Sequence, residues 1–396
     1  MLRIAAAQVI GIRQEQDGWQ LLEVTQEESG ENGLAICYWQ EAGVCRRGDR
    51  VLVNTTAVTL ELGTGGYHFV VGKLSEPSSG DYYPTAWGHI MKMRYTPAQL
   101  AVNAVEEKAS PCHELFLDET RSLEGTPVVI AELHSLLPVM VLAARERKPD
   151  WKIVYVMPDG AALPIAVSHQ VRTLRQADLL HATVTTGQAW GGDLETVNIH
   201  TGLLAAKWVA GADLIVCVLG PGVAGTGTAL GFSGMQLAEV IHAATLLGGL
   251  PIFTPRLSFA DRRARHQGMS HHSRTLLKRF VLCPALLPLP RFDDERDDLL
   301  EQQEKEDQLA KKHHRLLLPA PSLSSLQALQ DGYDLPFQTM GRGLPEDPSP
   351  FQAASLSVQV ATAAQKVMAE LNASLPDRSD EATLTRLCSY LTSGEG

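Results

Sequence analysis

Two hydrophobic periods divide the chain. Up to residue 74, apolar and polar positions alternate in short runs at 4–13, 19–25, 34–39, 50–62 and 67–74, separated by turns such as Asp17-Gly18 and Arg47-Gly48-Asp49. A period of two marks a strand with one buried face, and tight turns join such strands into antiparallel pairs. Five strands within residues 1–75 predict a small β-barrel of the OB or SH3-like kind. From residue 126 the pattern changes. Apolar runs at 127–133, 152–157, 182–186, 213–219 and 250–254 alternate with helical segments at 136–148, 163–180, 197–209 and 235–247. Continuous apolar runs read as strands covered on both faces, and their alternation with helices predicts a parallel sheet with right-handed crossovers. The expectation is an α/β, Rossmann-like three-layer domain over residues 126–290. Residues 76–125 would connect it to the barrel, with a short helix at 97–108. Beyond 290 the alternation stops. Residues 291–325 read as an acidic exposed insert and linker. Residues 326–396 read as a C-terminal segment whose Ala- and Val-rich helix at 351–371 docks on the α/β domain, ending in a loosely held terminus at 376–396.

The run at 213–219 feeds a loop in which side chains nearly vanish: DLIVCVLGPGVAGTGTALGFSGMQ, residues 213–236, holds six glycines. Glycine is used where backbone must approach a ligand closely or take positive φ. Ser233 with Gln236 three residues on forms a capping-box pattern, so a helix is expected from about residue 234, its free N–H groups offering an anion site. GPGVAG at 220–225 matches the dinucleotide pattern GxGxxG. In that motif, however, the glycines open the helix directly in the first βα turn, whereas this loop follows at least three such units. No Walker lysine follows, which excludes a P-loop. Gly220, Gly222, Gly225, Thr226, Gly227, Thr228 and Ser233 are the ligand-binding candidates here. The plainer reading is a glycine-rich connection that lets a helix pack closely.

Composition narrows the setting. With 396 residues, 44% of them apolar, the chain can bury a large core. Its six cysteines (Cys37, Cys45, Cys112, Cys217, Cys283 and Cys388) include no CxxC pair. With no signal-peptide pattern and no apolar run of ~20 residues, the expectation is a cytoplasmic protein without membrane contact. The net charge of −11 is uneven, since residues 293–307 carry −7 while residues 256–279, just past the glycine loop, carry +6. That basic stretch steers a small anion, faces nucleic acid, or is a solvated helix face, and no interleaved aromatics support the nucleic-acid reading. Homo-oligomerisation stays open.

Ligands of open parallel sheets bind beyond the carboxyl ends of the strands, so the residues there carry the candidate chemistry. Glu132, His134 and Ser135 follow the first strand, Asp159 the second, and Gln188, Asp193 and Glu195 the third; Arg256, Ser258, Asp261, His266, Ser270, His271 and His272 follow the fifth. Ser135, Asp159 and Asp193 have the duller role of helix caps open to them. RHQGMSHHS places three histidines within seven residues beside Asp261. The catalytic candidates are therefore His266, His271 and His272 as general acid or base, with Asp261, Glu132 or Asp193 as orienter. Arg256, Ser258, His134, Asp159 and Gln188 join the glycine loop as ligand-binding candidates. A metal centre of Asp261, His266 and one of the adjacent histidines is the competing reading. Consecutive helical residues point about 100° apart, which argues against both His271 and His272 reaching one ion, and the spacing matches no standard zinc motif. No cofactor is identified.

The stretches AELHSLLP, YVMPDGAALP, TTGQAWGGDLE, LGPGVAGTGTALGFSG, SFADRRARHQGMSHH and TMGRG, with NTTAVTLELGTGGYHFVVGKL and GHIMKMRYTP earlier, resemble a bacterial family catalogued only as a domain of unknown function. The resemblance covers about residues 1–288, resumes near 339, and fails in the acidic stretch 293–312 and the tail. It implies no activity, cofactor or catalytic residue. The residues themselves point to a hydrolase or transferase acting on a small anionic ligand, phosphorylated among other choices, at the carboxyl edge of the sheet. The alternative is a non-catalytic metabolite-binding or regulatory protein using the same crevice.

Overall fold

The computed structural model describes residues 2–16, 18–61, 65–74, 87–371 and 389. The chain divides into two compact units, Met1–Asn103 and Ala104–Gly396. In the first, β1 (Ile4–Gln16), β2 (Trp19–Gln26), β3 (Asn32–Tyr38), β4 (Arg50–Asn54) and β5 (Tyr67–Lys73) close the expected barrel in the order β1-β2-β3-β5-β4. Alternate residues fill it: Ala7, Val9, Leu22, Val24, Ala35, Val51, Val53 and Val70 form one core. Two short helices, α1 (Trp39–Ala42) and α2 (Thr56–Thr59), interrupt the strand pattern. The run expected as a strand over 50–62 stops at Asn54, whose Oδ1 accepts from Thr56 N while Thr59 Oγ1 donates to Thr55 O. Such local side-chain bonds compete with a ladder and turn the backbone. No helix forms over 97–108. Instead β6 (Ile90–Lys92) pairs antiparallel with β7 (Leu100–Val102), tertiary pairing overriding local propensity. The terminus expected to be loose at 376–396 lies outside the described residues, residue 389 excepted.

The second unit is an eight-stranded, all-parallel sheet in the order β11-β10-β9-β12-β8-β13-β16-β17. Its strands are β8 (Pro127–Ala131), β9 (Ile153–Met157), β10 (Ala182–Thr185), β11 (Leu194–Glu195), β12 (Leu214–Val218), β13 (Leu250–Thr254), β16 (Leu286–Arg291) and β17 (His314–Pro319). The short antiparallel pair β14 (Leu257–Ser258) and β15 (Gly268–Met269) stands outside it. The helices are α3 (Leu137–Arg147), α4 (His169–Gln176), α5 (Ile199–Trp208), α6 (Leu237–Leu246), α7 (His271–Thr275), α8 (Glu295–Asp307), α9 (Leu323–Tyr333) and α10 (Ser349–Leu371). The period of two sorts each strand between two cores. Val129, Ile153, Tyr155, Leu214 and Val216 pack with α3, α9 and α10, whereas Val128, Ile130, Val154, Ile215 and Cys217 pack with α5 and α6. The α10 residues Phe351, Ala354, Val358 and Ala361 lie in the first core, so the C-terminal helix docks on the sheet. No helix among the described residues is long and apolar enough to cross a membrane.

The sheet runs further than the sequence suggested. Pro288 and Pro290 read as breakers, yet both lie in β16. His314 N donates to Ala285 O and Ala320 N to Arg291 O, so odd positions of β16 address β17. The missing N–H groups of the prolines therefore fall on the β13 side, where pairing is confined to Ile252 and Leu286. Residues 293–312, expected as an exposed appendage, instead contain α8, the crossover helix between these two strands. Leu300, Gln303, Glu304 and Leu309 are buried. Its acids meet the basic stretch directly, through Arg274 to Glu306, Lys278 to Asp307 and Arg274 to Asp307. The two opposite charge runs thus meet where Arg274 and Lys278 pair with Glu306 and Asp307.

The strand order also fixes a crevice. β8 and β12 are hydrogen-bonded neighbours, but the helix after β8 packs in the first core and the helix after β12 in the second. Their connections leave to opposite faces, and the chain opens a gap beyond their carboxyl ends.

Candidate functional site

The histidines are brought together by local folding rather than by one helix face. β14 and β15 pair Leu257 with Met269 and Ser258 with Gly268, which closes residues 259–267 into a loop and returns His266 beside α7. Gln303 of α8 holds the turn, its amide donating to Gln267 O at 2.9 Å and accepting from Met269 N at 2.7 Å. Gly268 has φ +66, and a Cβ there would stand 2.6 Å from Gln303 Oε1, so only glycine fits. Ser270 caps α7 and also hydrogen-bonds His266 Nδ1 at 2.8 Å. The ring centroids then lie 5.1 Å apart for His266–His271, 5.3 Å for His266–His272 and 4.1 Å for His271–His272. Phe232 from the glycine loop stacks on His272 at 3.8 Å. Among the described residues, Nε2 of His271 and both ring nitrogens of His272 are buried without a hydrogen-bond partner. Burial, then neighbouring positive charge, pushes all three imidazoles down, His266 to about 4 and His272 to about 3.

A buried charge network lies against this cluster. Glu132, 1% exposed at its side chain, receives Arg256 Nη1 at 3.5 Å and Ser273 Oγ at 3.2 Å, and its Oε1 is 4.0 Å from His272 Nδ1. Burial pushes the Glu132 carboxyl up, against the opposing pull of Arg256 and Ser273. Arg256 also faces Asp261 at 3.8 Å. Asp261 itself is gripped by Arg263 Nε at 2.9 Å and Nη2 at 2.7 Å, which holds its carboxyl well below the usual range. The expected roles therefore part. Glu132 is beside the histidines, while Asp261 is engaged by Arg263 as a structural anion. Ser258 is engaged too, its Oγ donating to Asp347 at 2.5 Å, and Arg342 joins Asp347 at 3.2 Å to Asp261 at 3.7 Å. Asp347, Ser273 and Phe232 were not foreseen. Phe232 and Ser273 stand inside the glycine loop and the RHQGMSHHS stretch without a side-chain signal of their own, Asp347 comes from a segment with no local signal, and Arg342 stands in the quoted TMGRG stretch.

The glycine loop is a small hairpin rather than a helix opening. Gly225 bridges Phe232, Thr226 N donates to Gly231 O, and the Thr226 and Thr228 hydroxyls bond each other and the Gly231 backbone. Those threonines close the turn. Ser233 forms no cap, because its Oγ accepts from Ala224 N and a 3₁₀ turn precedes α6. Positive φ occurs at Gly222 (+91) and Gly227 (+78) and not at Gly225, where closeness is the constraint: a Cβ would lie 3.4 Å from His272 Cε1. Gly220 is small for packing, a Cβ there standing 3.0 Å from Met157 Sδ and Leu163 Cδ1.

On its other side the loop lines a cavity of about 500 Å³ at the gap between β8 and β12, walled by Gly220, Gly222, Val223, His134, Ser168 and Met340 among others. His134 is fully used there, Nδ1 against Leu219 O at 3.0 Å and Nε2 against Ser168 Oγ at 2.6 Å, and burial pushes it down to about 4. Asp159 caps a turn by accepting from Ala162 N, and Gln188 is half-buried after β10. Asp193, expected as an orienter of histidine, is instead bound bidentately by Arg175 and by Thr183 near the β11 edge. Four strands separate β11 from β13, whose connection carries the histidines.

A family model described as Protein of unknown function (DUF3866) matches residues 34–358, and the chain belongs to that family. No curated protein and no solved structure matches it.

Proposed function

We propose that this member of the family is an enzyme, a hydrolase or group-transfer catalyst, that takes a small anionic ligand at the carboxyl edge of its sheet. The supporting observation is the convergence of the unpartnered His271 and His272 nitrogens with buried Glu132. Buried side-chain nitrogens are nearly always satisfied, so three that are not, in one cluster, are better explained by a reacting partner than by packing. Glu132, its carboxyl raised by burial, is suited to hold and release a proton. Loop N–H groups and exposed Arg265, whose Nη2 lies 3.9 Å from where a Gly227 Cβ would stand, supply the attraction for an anion. Arg256 is removed from that role, since it is spent on Glu132 and Asp261.

A second reading is favoured by the cavity itself. Its polar groups His134 and Ser168 satisfy one another, as in a pocket that binds without reacting. Gly222→Val tests the ligand site and His271→Ala the chemistry. At φ +91 a β-branched residue is strained by about 1–2 kcal/mol, and the side chain would enter the cavity wall. This variant is expected to lose binding of inorganic phosphate in calorimetry and turnover of phosphate esters together. His271→Ala is expected to keep phosphate binding and lose turnover. Phosphate binding with no turnover in the wild type would leave the binding reading, turnover undiminished in His271→Ala would take the histidines out of the reaction, and no affinity of the wild type for any small anion would end both readings.

A further inference from the structure

We propose that His266, His271 and His272 form a binding site for one divalent transition-metal ion of the zinc class, with three imidazole ligands and a fourth position open. One ligand-capable atom of each residue lies within 4.8 Å of the other two. Three nitrogens around a tetrahedral ion stand roughly 3.4 Å apart, from metal–nitrogen distances of about 2.0–2.1 Å, so small side-chain rotations close the set. The adjacency that argued against both His271 and His272 is overcome by side-chain placement and not by a break in the helix. His271 and His272 are the first two residues of α7, capped by Ser270, and their rings nevertheless approach to 4.1 Å between centroids.

The surroundings select which nitrogen of each ring is free. With Nδ1–H of His266 given to Ser270, its Nε2 carries the lone pair. The nearest charged group to Nδ1 of His272 is Glu132 Oε1 at 4.0 Å, an orienting carboxylate behind a ligand, which leaves Nε2 for the ion. His271 offers Nε2, buried and unpartnered. Asp261 is excluded as a ligand because Arg263 occupies both its oxygens. Charge does not forbid a dication, since Arg263 is matched by Asp261 and Arg256 by Glu132, while Arg265 is exposed and screened by solvent. Three imidazoles with no thiolate and no free carboxylate suit zinc, nickel or copper and suit magnesium and calcium poorly. Gly225 keeps the approach to His272 Cε1 clear of side chain.

This site goes beyond the proposed reaction, because metal binding is read without substrate. Chelator-treated full-length protein is titrated with zinc by calorimetry and with cobalt by visible absorption. The expected result is one ion per chain and the ligand-field bands of low-coordinate cobalt. His271→Ala and His272→Ala are each expected to weaken zinc binding at least about 100-fold, and Glu132→Gln about 10- to 100-fold. His181→Ala, at an exposed position, controls for the remaining members of the thirteen histidines and should change nothing. Absence of a stoichiometric site in the wild type, or unaltered affinity in His271→Ala, overturns the proposal. If a variant fails to fold, the wild-type cobalt spectrum still decides, because a spectrum of aquo-cobalt alone overturns it. Anion binding without metal binding would sink this site and leave the proposed function. Metal binding without any anion or turnover would do the reverse.

Discussion

Glu132→Leu is expected to lower the stability of the second unit by about 3–5 kcal/mol, the range for breaking a buried ion pair by removing one partner. Arg256, 8% exposed at its side chain, would keep only Asp261, 3.8 Å away and already drawn to Arg263. Ser273 would lose its acceptor as well. Arg256→Met should cost less, because the stranded Glu132 can take up a proton. Burial already pushes that carboxyl up, and removing the arginine removes the strongest opposing pull. The pH dependence follows from the sign of this shift. A carboxyl whose folded pKa exceeds its unfolded one binds more protons in the folded state. Stability then falls as pH rises from the unfolded toward the folded value. Arg256→Met should therefore lose more stability against wild type at about pH 8 than at about pH 5, while Glu132→Leu, which removes the raised carboxyl, should lose less at about pH 8 than at about pH 5. The double variant should recover much of the loss, as buried pairs replaced by apolar residues do. Urea unfolding of the four proteins at both pH values reads all of this. An Arg256→Met penalty equal to that of Glu132→Leu at every pH would show that the pair does not behave as a buried charge couple.

The same network shows what the sequence could disclose. The barrel and five strands of the sheet, β8, β9, β10, β12 and β13, were legible because each is a local pattern, a period of two or a fully apolar run, and the cores keep that pattern intact; β11, only Leu194–Glu195, is too short to carry one. β16 was hidden because its prolines are harmless for a non-local reason, the side of the strand on which their missing N–H groups fall. The site was half legible. His266, His271, His272 and Glu132 were nameable from their places after strands. Which of their neighbours were already spent was not nameable, since Arg256, Asp261, Ser258 and Asp193 take partners from up to 124 residues away. Two ligand-binding candidates show this: Arg256 is buried in an ion pair, and Gly225 has an unstrained backbone.

The acidic segment yields the other large effect. Replacing Glu295–Asp307 with a short Gly/Ser bridge is expected to unfold the second unit rather than trim its surface. The helix contributes Leu300 to the second core, and Leu309 follows it there. Its 13 residues are the crossover that lets β17 lie parallel to β16. An antiparallel hairpin needs two residues to reverse, whereas a parallel neighbour needs a crossover of a dozen or more, so a short bridge cannot span the sheet and β17 would leave it. Because loss of folding is a blunt result, Gln303→Ala gives the finer reading. It removes both amide bonds to the histidine turn and leaves Met269 N and Gln267 O unpaired in a buried setting, a cost of about 1–3 kcal/mol for each orphaned group. Glu301→Ala on the solvent face should stay within about 0.5 kcal/mol of wild type, as surface changes do. The difference between these two substitutions on one helix, measured by thermal and urea unfolding, distinguishes a packed crossover from an appendage. Charge density alone gives no such distinction: it counts the nine acids of residues 293–307 and is blind to the face of α8 that carries Leu300, Gln303 and Glu304 inward. A bridged deletion that melts within a few degrees of wild type would restore the appendage and take Gln303 out of the histidine site.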